Sequence, residues 1–432
     1  MRHLYSTVFR LLLPLVFLRL LWRSRAAPDY RRRWVERLGF ASASARRTSD
    51  SVAGEGVIWL HAVSLGETLA ARPLVESLLQ GFPGVAILVT TTTPTGSAQV
   101  RSLFGDRVLH VYMPLDTPGA LRRFLGRYRP RLLILMETEL WPNLLHACAQ
   151  RQCPVLLANA RLSQRSFRGY RRLGRFGRDM FSAISHVACQ SGDDARRFAA
   201  LGLPPERLSV CGNIKYDLDL GAGVQARIAQ LKAQWQCTER LVFVAASTHE
   251  GEDEAVLAAF SALREQVPRA LLVLVPRHPE RFKAVHKLCL EAGWQTCRRS
   301  LGESPDATTA VLLGDTLGEL LVLLGSADVA FIGGSLVPRG GHNLVEPAAL
   351  GVPVLSGPSL FNFAAVADAL RTAGALLEVG SATELGTALC DLARDADRRA
   401  AMGQAARAVA LENRGARQGI ERLVRQLLAP VG

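Results

Sequence analysis

The chain has 432 residues, 49% apolar and 21% charged, proportions that exclude a disordered or fibrous protein and leave room for two cores. Its eight cysteines (148, 153, 189, 211, 237, 289, 297 and 390) form no C-x-x-C pair, which excludes a zinc ribbon and a disulfide framework and suits a reducing compartment. The formal charge of +14 sits in two stretches: residues 1–47 hold eleven Arg against Asp29 and Glu36, and residues 161–178 hold seven Arg and no acid, while the remainder is near neutral. Two basic surfaces point to an anionic partner.

Residues 4–22, LYSTVFRLLLPLVFLRLLW, are apolar apart from Arg10, Arg19 and the first hydroxyls. The clean run Leu11–Leu18 is too short to span a bilayer; with both arginines snorkelling, the longer segment is compatible with spanning or with lying in the interface. Arginines from Arg23 to Arg37 follow at once, which argues against a cleavable signal and places the following chain on the cytoplasmic side. Residues 1–48 therefore read as a basic membrane anchor, with a buried core helix as the competing reading. The small polar stretch 48–56 reads as a linker.

Apolar strands then alternate with helical stretches: Val57–His61, Ala86–Thr90, Leu109–Val111, Leu132–Met136, Val155–Asn159 and His186–Gln190, then Leu241–Ala246, Ala270–Val275, Ala310–Leu313, Val329–Gly333 and Val352–Leu355. Near-continuous apolar strands separated by helices predict parallel sheets covered on both faces. The predicted fold is α/β, two doubly wound domains facing a cleft, at 49–218 and 240–432, with a linker at 219–239. Ligands of such sheets bind beyond the carboxyl ends of the strands.

Those ends carry the polar residues. After the first strand comes Ser64-Leu65-Gly66-Glu67-Thr68, in which Glu67 is either a favourable charge at a helix start or a general base. Thr90–Ser97, TTTTPTGS, has more hydroxyls than capping needs and suits phosphate or sugar oxygens. Glu137 and Glu139 flank Thr138 before Trp141, Arg161 opens the basic segment, and Lys215 stands alone near the end of the first domain. In the second half, Ser247–Glu252, Pro276-Arg277-His278 and a glycine-rich loop from Gly333 to Asn343 follow strands, and the loop amides are suited to cradling a phosphate. Neither G-x-x-x-x-G-K-[ST] nor G-x-G-x-x-G is present, and the histidines are too scattered to suggest a metal site.

The strings WLHAVSLGET, TTTTPTGS, METELWPN, NARLS, ASTHEGE, VPRHPERF, GDTLGEL and GGSLVPRGGHNLVEPAALGVPVL, in this order over nearly the whole chain, resemble the 3-deoxy-D-manno-octulosonic acid (Kdo) transferases of lipopolysaccharide synthesis. The resemblance implies a GT-B glycosyltransferase that transfers Kdo with inversion from CMP-Kdo to the lipid A precursor lipid IVA, on the cytoplasmic face of the inner membrane, with anionic lipids as partners and neither nucleic acid nor a metal required. By the same resemblance Glu67 is the general base, and Glu137 and Lys215 support the transition state. Pro276, Arg277, Leu317, Gly318, Glu319, Asn343, Leu344, Val345 and Glu346 contact CMP. Arg161, Arg168, Arg171 and Arg172 are expected to meet the acceptor's phosphates, for which a guanidinium fork is suited. The rival expectations are a GT-B enzyme using another nucleotide sugar and a non-catalytic basic protein that binds membranes or nucleic acid.

Overall fold

The structure, a computed structural model, describes residues 1–25, 28–40, 56–218, 220–237 and 239–429; all but Gly56 of the expected 48–56 linker lies outside them. The chain divides into two compact units, Met1–Asp217 with Arg414–Gly432, and Leu218–Asn413.

In the first unit the elements are α1 (Arg2–Arg23), α2 (Trp34–Arg37), β1 (Val57–His61), α3 (Leu65–Gly81), β2 (Ala86–Thr91), α4 (Pro94–Phe104), β3 (Leu109–Tyr112), α5 (Pro118–Tyr128), β4 (Pro130–Met136), α6 (Pro142–Gln150), β5 (Val155–Ala160), α7 (Gln164–Arg172), α8 (Gly174–Ser182), β6 (His186–Cys189), α9 (Gly192–Ala200) and β7 (Leu208–Val210). The strands pair in parallel in the order β3-β2-β1-β4-β5-β6-β7, so the winding reverses between β1 and β4. Both faces are covered: Val57 and Trp59 enter one core with Phe124 and Leu157, while Ile58 and Leu60 enter the other with Leu74 and Val89. This two-sided burial is why the strands lack polar alternation.

The second unit contains α10 (Ala222–Gln234), β8 (Val242–Thr248), α11 (Glu252–Gln266), β9 (Leu271–Pro276), α12 (Phe282–Glu291), β10 (Thr296–Arg298), β11 (Val311–Leu313), α13 (Leu320–Gly325), β12 (Val329–Ile332), α14 (Val345–Leu350), β13 (Val354–Ser356), α15 (Ala364–Thr372), β14 (Leu376–Glu378), α16 (Ala382–Arg394) and α17 (Ala396–Glu412). Its parallel sheet runs β10-β11-β9-β8-β12-β13-β14 and reverses between β8 and β12.

Two expected boundaries need correction. Residues 219–239 are not a linker, for α10 is a helix of the second unit: Ile228 lies where a Cβ on Gly325 would stand, and Trp235 is fully buried. The C-terminal domain does not run to 432 either. The last helix, α18 (Ala416–Leu428), returns to the first unit, where Ala416, Ile420, Leu423 and Val424 fill the core beside Ile58 and Leu60. The carboxylate of Asp217 accepts the N–H groups of Gly415 and Arg417, both at 2.6 Å, and so caps α18 from the residue that ends the first segment of the unit.

α1 is the one helix among the described residues long and apolar enough to cross a membrane, by length and composition. It also docks along the first unit. Ser6 Oγ donates to Asn143 Oδ1 at 2.8 Å, and Phe17 packs on Trp34 with ring centroids 5.0 Å apart. Its other face, Leu4, Val8, Leu11, Leu15, Leu18 and Trp22, is exposed.

Candidate active site

The carboxyl ends of β1 and β4, where the first sheet reverses, bring three carboxylates together. Ser64 is the N-cap of α3: its hydroxyl accepts the Glu67 N–H at 3.3 Å and donates to Glu67 Oε1 at 2.9 Å, while Glu67 Oε2 accepts the Val63 N–H at 2.8 Å. Glu67 thus closes a variant of the capping box in which its carboxylate accepts the N–H of Val63, one residue before the N-cap, and the N-cap hydroxyl. Burial pushes its carboxyl up to about 7, the two hydrogen bonds oppose this, and the charges of Glu137 and Glu139 add to it. Glu139 is also raised, by burial first and then by Glu137. Glu67 therefore sits at the helix start as expected, and its carboxyl is kept protonatable near neutrality.

Glu137 has a left-handed backbone (φ 57°) directly after β4, a conformation that costs a non-glycine residue free energy and marks a constrained site. Lys215 Nζ lies 3.7 Å from Glu137 Oε1. The turn that carries Lys215 is fixed by Asn159, whose Oδ1 accepts the Ile214 N–H at 3.0 Å. Hence Glu67, Glu137 and Lys215 all lie in the first unit, with Glu137 interacting with both of the others.

The hydroxyl-rich segment is mostly committed to the protein. Thr90 Oγ1 accepts from Trp59 Nε1 at 2.8 Å, Thr92 Oγ1 donates to the Val63 carbonyl at 3.1 Å, Thr93 caps α4, and Ser97 Oγ meets His110 Nε2 at 2.7 Å. Within the N-terminal basic cluster, Arg33 and Arg37 turn inward. Arg33 pairs with buried Glu36 at 2.8 Å, Arg37 donates to the Thr92 carbonyl at 2.8 Å, and both lie over the Tyr112 ring. Those two arginines hold α2 to the sheet and so do not belong to a membrane-facing surface. Arg161, Arg168, Arg171 and Arg172 are all exposed. On α7, Phe167 and Tyr170 pack against the core, which leaves the helix's arginines outside.

In the second unit the glycine-rich loop differs from expectation. Glu252, fully buried at the start of α11, accepts four backbone N–H groups, from His249 (2.9 Å), Gly334 (2.7 Å), Ser335 (3.0 Å) and Leu336 (2.9 Å). The amides at 334–336 are thus saturated by a carboxylate of the protein and unavailable to a phosphate. Gly333 permits this approach, since a Cβ there would stand 2.9 Å from Glu252 Oε2.

Other groups remain around the ends of β8, β9 and β12. Pro276 ends β9, and the N–H of half-buried Arg277 donates to the Thr248 carbonyl at 3.0 Å. Asn343 Oδ1 accepts the Val345 N–H and its Nδ2 donates to Glu346 Oε1, both at 3.0 Å. Glu346 is raised by burial, against Asn343 and Arg277. Leu344 and Val345 are buried. Leu317 is exposed, and a Cβ on Gly318 (φ 80°) would meet open space. Glu319 is pinned by Arg227, Arg299 and Thr316, at 2.5, 3.2 and 2.7 Å. Among the described residues no group of three or more His, Cys, Asp or Glu is disposed to hold a metal ion.

Residues 32–218 match a family model described as 3-deoxy-D-manno-octulosonic-acid transferase (kdotransferase). The 3-deoxy-D-manno-octulosonic acid transferase of Haemophilus influenzae is 42% identical over 99% of both chains. The chain belongs to the Kdo transferase family. The Bordetella pertussis transferase is 40% identical over 96% of both chains. A solved UDP-GlcNAc 2-epimerase of Neisseria meningitidis, 14% identical with a TM-score of 0.57, covers 85% of this chain and 99% of its own; it shares the fold alone, which is of the GT-B type.

For a Kdo transferase, the fold assembles one group that separate motifs concealed. His249, His278 and His342 stand in ASTHEGE, VPRHPERF and GGHNLVEP. The His249 ring lies 5.1 Å from that of His342 and 5.4 Å from that of His278, centroid to centroid. Their sequence separation hid them; the signal was that each follows a strand end or enters a helix start, the places where ligands of such sheets are met.

Proposed function

We propose that this Kdo transferase moves Kdo from CMP-Kdo to lipid IVA, inverting the anomeric centre, at the cytoplasmic face of the bacterial inner membrane. The observation that carries the reading is Glu67: a half-buried carboxyl at the sheet reversal, held by Val63 and Ser64 and raised to about 7. A group with that affinity accepts a proton at neutral pH and is regenerated without difficulty. As the acceptor oxygen bonds to C2 of Kdo, its proton passes to Glu67. The bond from C2 to the phosphate oxygen breaks, and CMP departs with the electron pair.

The first unit contributes this base, with Glu137 and Lys215 supporting charge that develops at the sugar. Arg161, Arg168, Arg171 and Arg172 offer four exposed guanidiniums to the acceptor's phosphates. The second unit contributes Pro276, Arg277, Leu317, Gly318, Glu319 and Asn343 through Glu346 for CMP. The leaving group carries a single phosphate, so side-chain cations suffice and no metal is expected.

The test is Glu67→Gln, assayed for Kdo transfer to lipid IVA beside CMP binding by calorimetry. The expected result is a loss of turnover of about 10²–10⁴-fold with CMP affinity unchanged. Turnover within a few-fold of wild type removes Glu67 from the role.

A further inference from the structure

The three imidazoles of the second unit form a group to which neither the resemblance nor the reading above gives a task. His249 follows β8, His278 follows β9, and His342 precedes α14. The Nε2 atoms of His249 and His342 are 2.8 Å apart and their ring planes lie within 8°; His278 meets His249 edge-on at 75°. Two ring nitrogens at that distance need one proton between them, one nitrogen donating and the other accepting. The neutral pair satisfies this, and so does the pair with one further proton on the donor ring's Nδ1. A doubly protonated pair does not, because two N–H groups would then face each other.

The position is built rather than incidental. Gly334 (φ 70°) has no side chain, and a Cβ there would stand 2.9 Å from His342 Cδ2, so the ring lies directly on the loop backbone. The surroundings are cationic. His342 faces Arg277, His249 and His278, and His249 faces Arg339, Arg281, His278 and Glu252. Glu252 is saturated by its four backbone N–H donors, and Arg281 is already paired with Asp253. Burial and the neighbouring guanidiniums hold both rings toward neutrality, with His342 pushed down to about 3. An anion set against Arg277 offsets that guanidinium's charge and so removes part of what disfavours a proton on the pair.

We propose that the His249–His342 pair takes up one proton when the donor's phosphate docks beside Arg277, and that the imidazolium so formed is part of the counter-charge for the leaving nucleotide. The proton comes from solvent, resides on the pair while the phosphate is present, and returns to solvent when the nucleotide leaves. This inference rests on the CMP reading of the second unit. It adds two phosphate-binding residues to that reading and makes donor affinity depend on pH through the protein.

The experiment is titration calorimetry of the full chain at about pH 7.5, run in buffers of low and high ionisation enthalpy. Two probes are used. CMP has a phosphate that itself titrates near pH 6, whereas cytidine 5′-methyl phosphate is a diester with no such group. Expected for the diester is a net proton uptake, a fraction of one proton per site, with affinity weakening as pH rises above neutrality. His249→Gln and His342→Gln should abolish the uptake and flatten the pH dependence while a weakened affinity remains. Diester binding without proton uptake in the wild-type chain overturns the inference and leaves the donor reading intact, as does uptake that persists in both variants. Failure of both probes to bind the wild-type chain overturns the donor reading itself.

Discussion

At the scale of single residues, the proposed base is a carboxyl that burial raises while two hydrogen bonds hold it in place. Glu67 is held by two donors that favour its charged form and surrounded by burial and two carboxylates that oppose it, and the opposition wins. In its proposed role as base it would have to be ionised, so on that proposal kcat/KM is expected to rise with pH through an inflection near 7. Glu137→Gln removes a negative charge that raises Glu67, so in that variant the inflection should move to lower pH even as turnover falls. An inflection that stays in place would show that the rising limb reports another group. The stability linkage has the opposite sign: the folded chain binds the Glu67 proton more tightly than the unfolded chain, so this group's contribution declines as pH rises from about 4.5 to about 7. Much of this site was legible. SLGET placed Glu67 at a strand end, and METELWP placed two carboxylates at another. The electrostatic coupling of Glu67 to Glu137 and Glu139 was not legible, because it depends on β1 and β4 being neighbours in the sheet though distant in sequence.

At the scale of elements, the central strands and the edge strand β3 were readable, and the other three edge strands were not. β7, β10 and β14 have three residues each and are mostly half-exposed. An outermost strand with one paired edge and little burial leaves no apolar run in the sequence. α18 was missed as a member of the first unit for a different reason: its amphipathic pattern says that it packs, not on which sheet. Asp217 supplies the missing link by accepting the N–H groups of Gly415 and Arg417. Asp217→Ala leaves those donors without their cap and is expected to destabilise the first unit by about 1–3 kcal/mol. Ile420→Ala, which opens a cavity in the core beside Ile58, should cost about 2–5 kcal/mol. Urea unfolding monitored at tryptophans of the two units separates the effects: the transition reported by Trp59 should move, and that reported by Trp235 should not. Equal shifts of both would mean that α18 does not belong to one unit alone.

For the molecule as a whole, the question is how a chain with two basic stretches meets a lipid. α1 is about 33 Å long, enough to cross a bilayer, yet Ser6 near one end and Phe17 nearer the other are both held by the first unit. On the proposed membrane-bound reading, a helix tethered along its length to a folded body would lie in the interface rather than cross it, with exposed Leu4, Leu11, Leu15 and Leu18 toward the lipid. The arginines then divide by task. Arg33 and Arg37 are spent on the fold, while those of α7 are exposed and available to phosphates. Two sets of substitutions should therefore fail in different ways. Leu11→Glu with Leu15→Glu should abolish sedimentation with anionic vesicles at every salt concentration, because each buried leucine contributes about 1.5–3 kcal/mol that salt does not screen. Arg168→Ser, Arg171→Ser and Arg172→Ser together should weaken vesicle binding at low salt, by about 1 kcal/mol per charge, and raise the KM for a phosphorylated acceptor while kcat is retained. Binding that survives the leucine substitutions in high salt would mean that α1 is not immersed. An unchanged KM in the arginine variant would move the acceptor's phosphates to another surface.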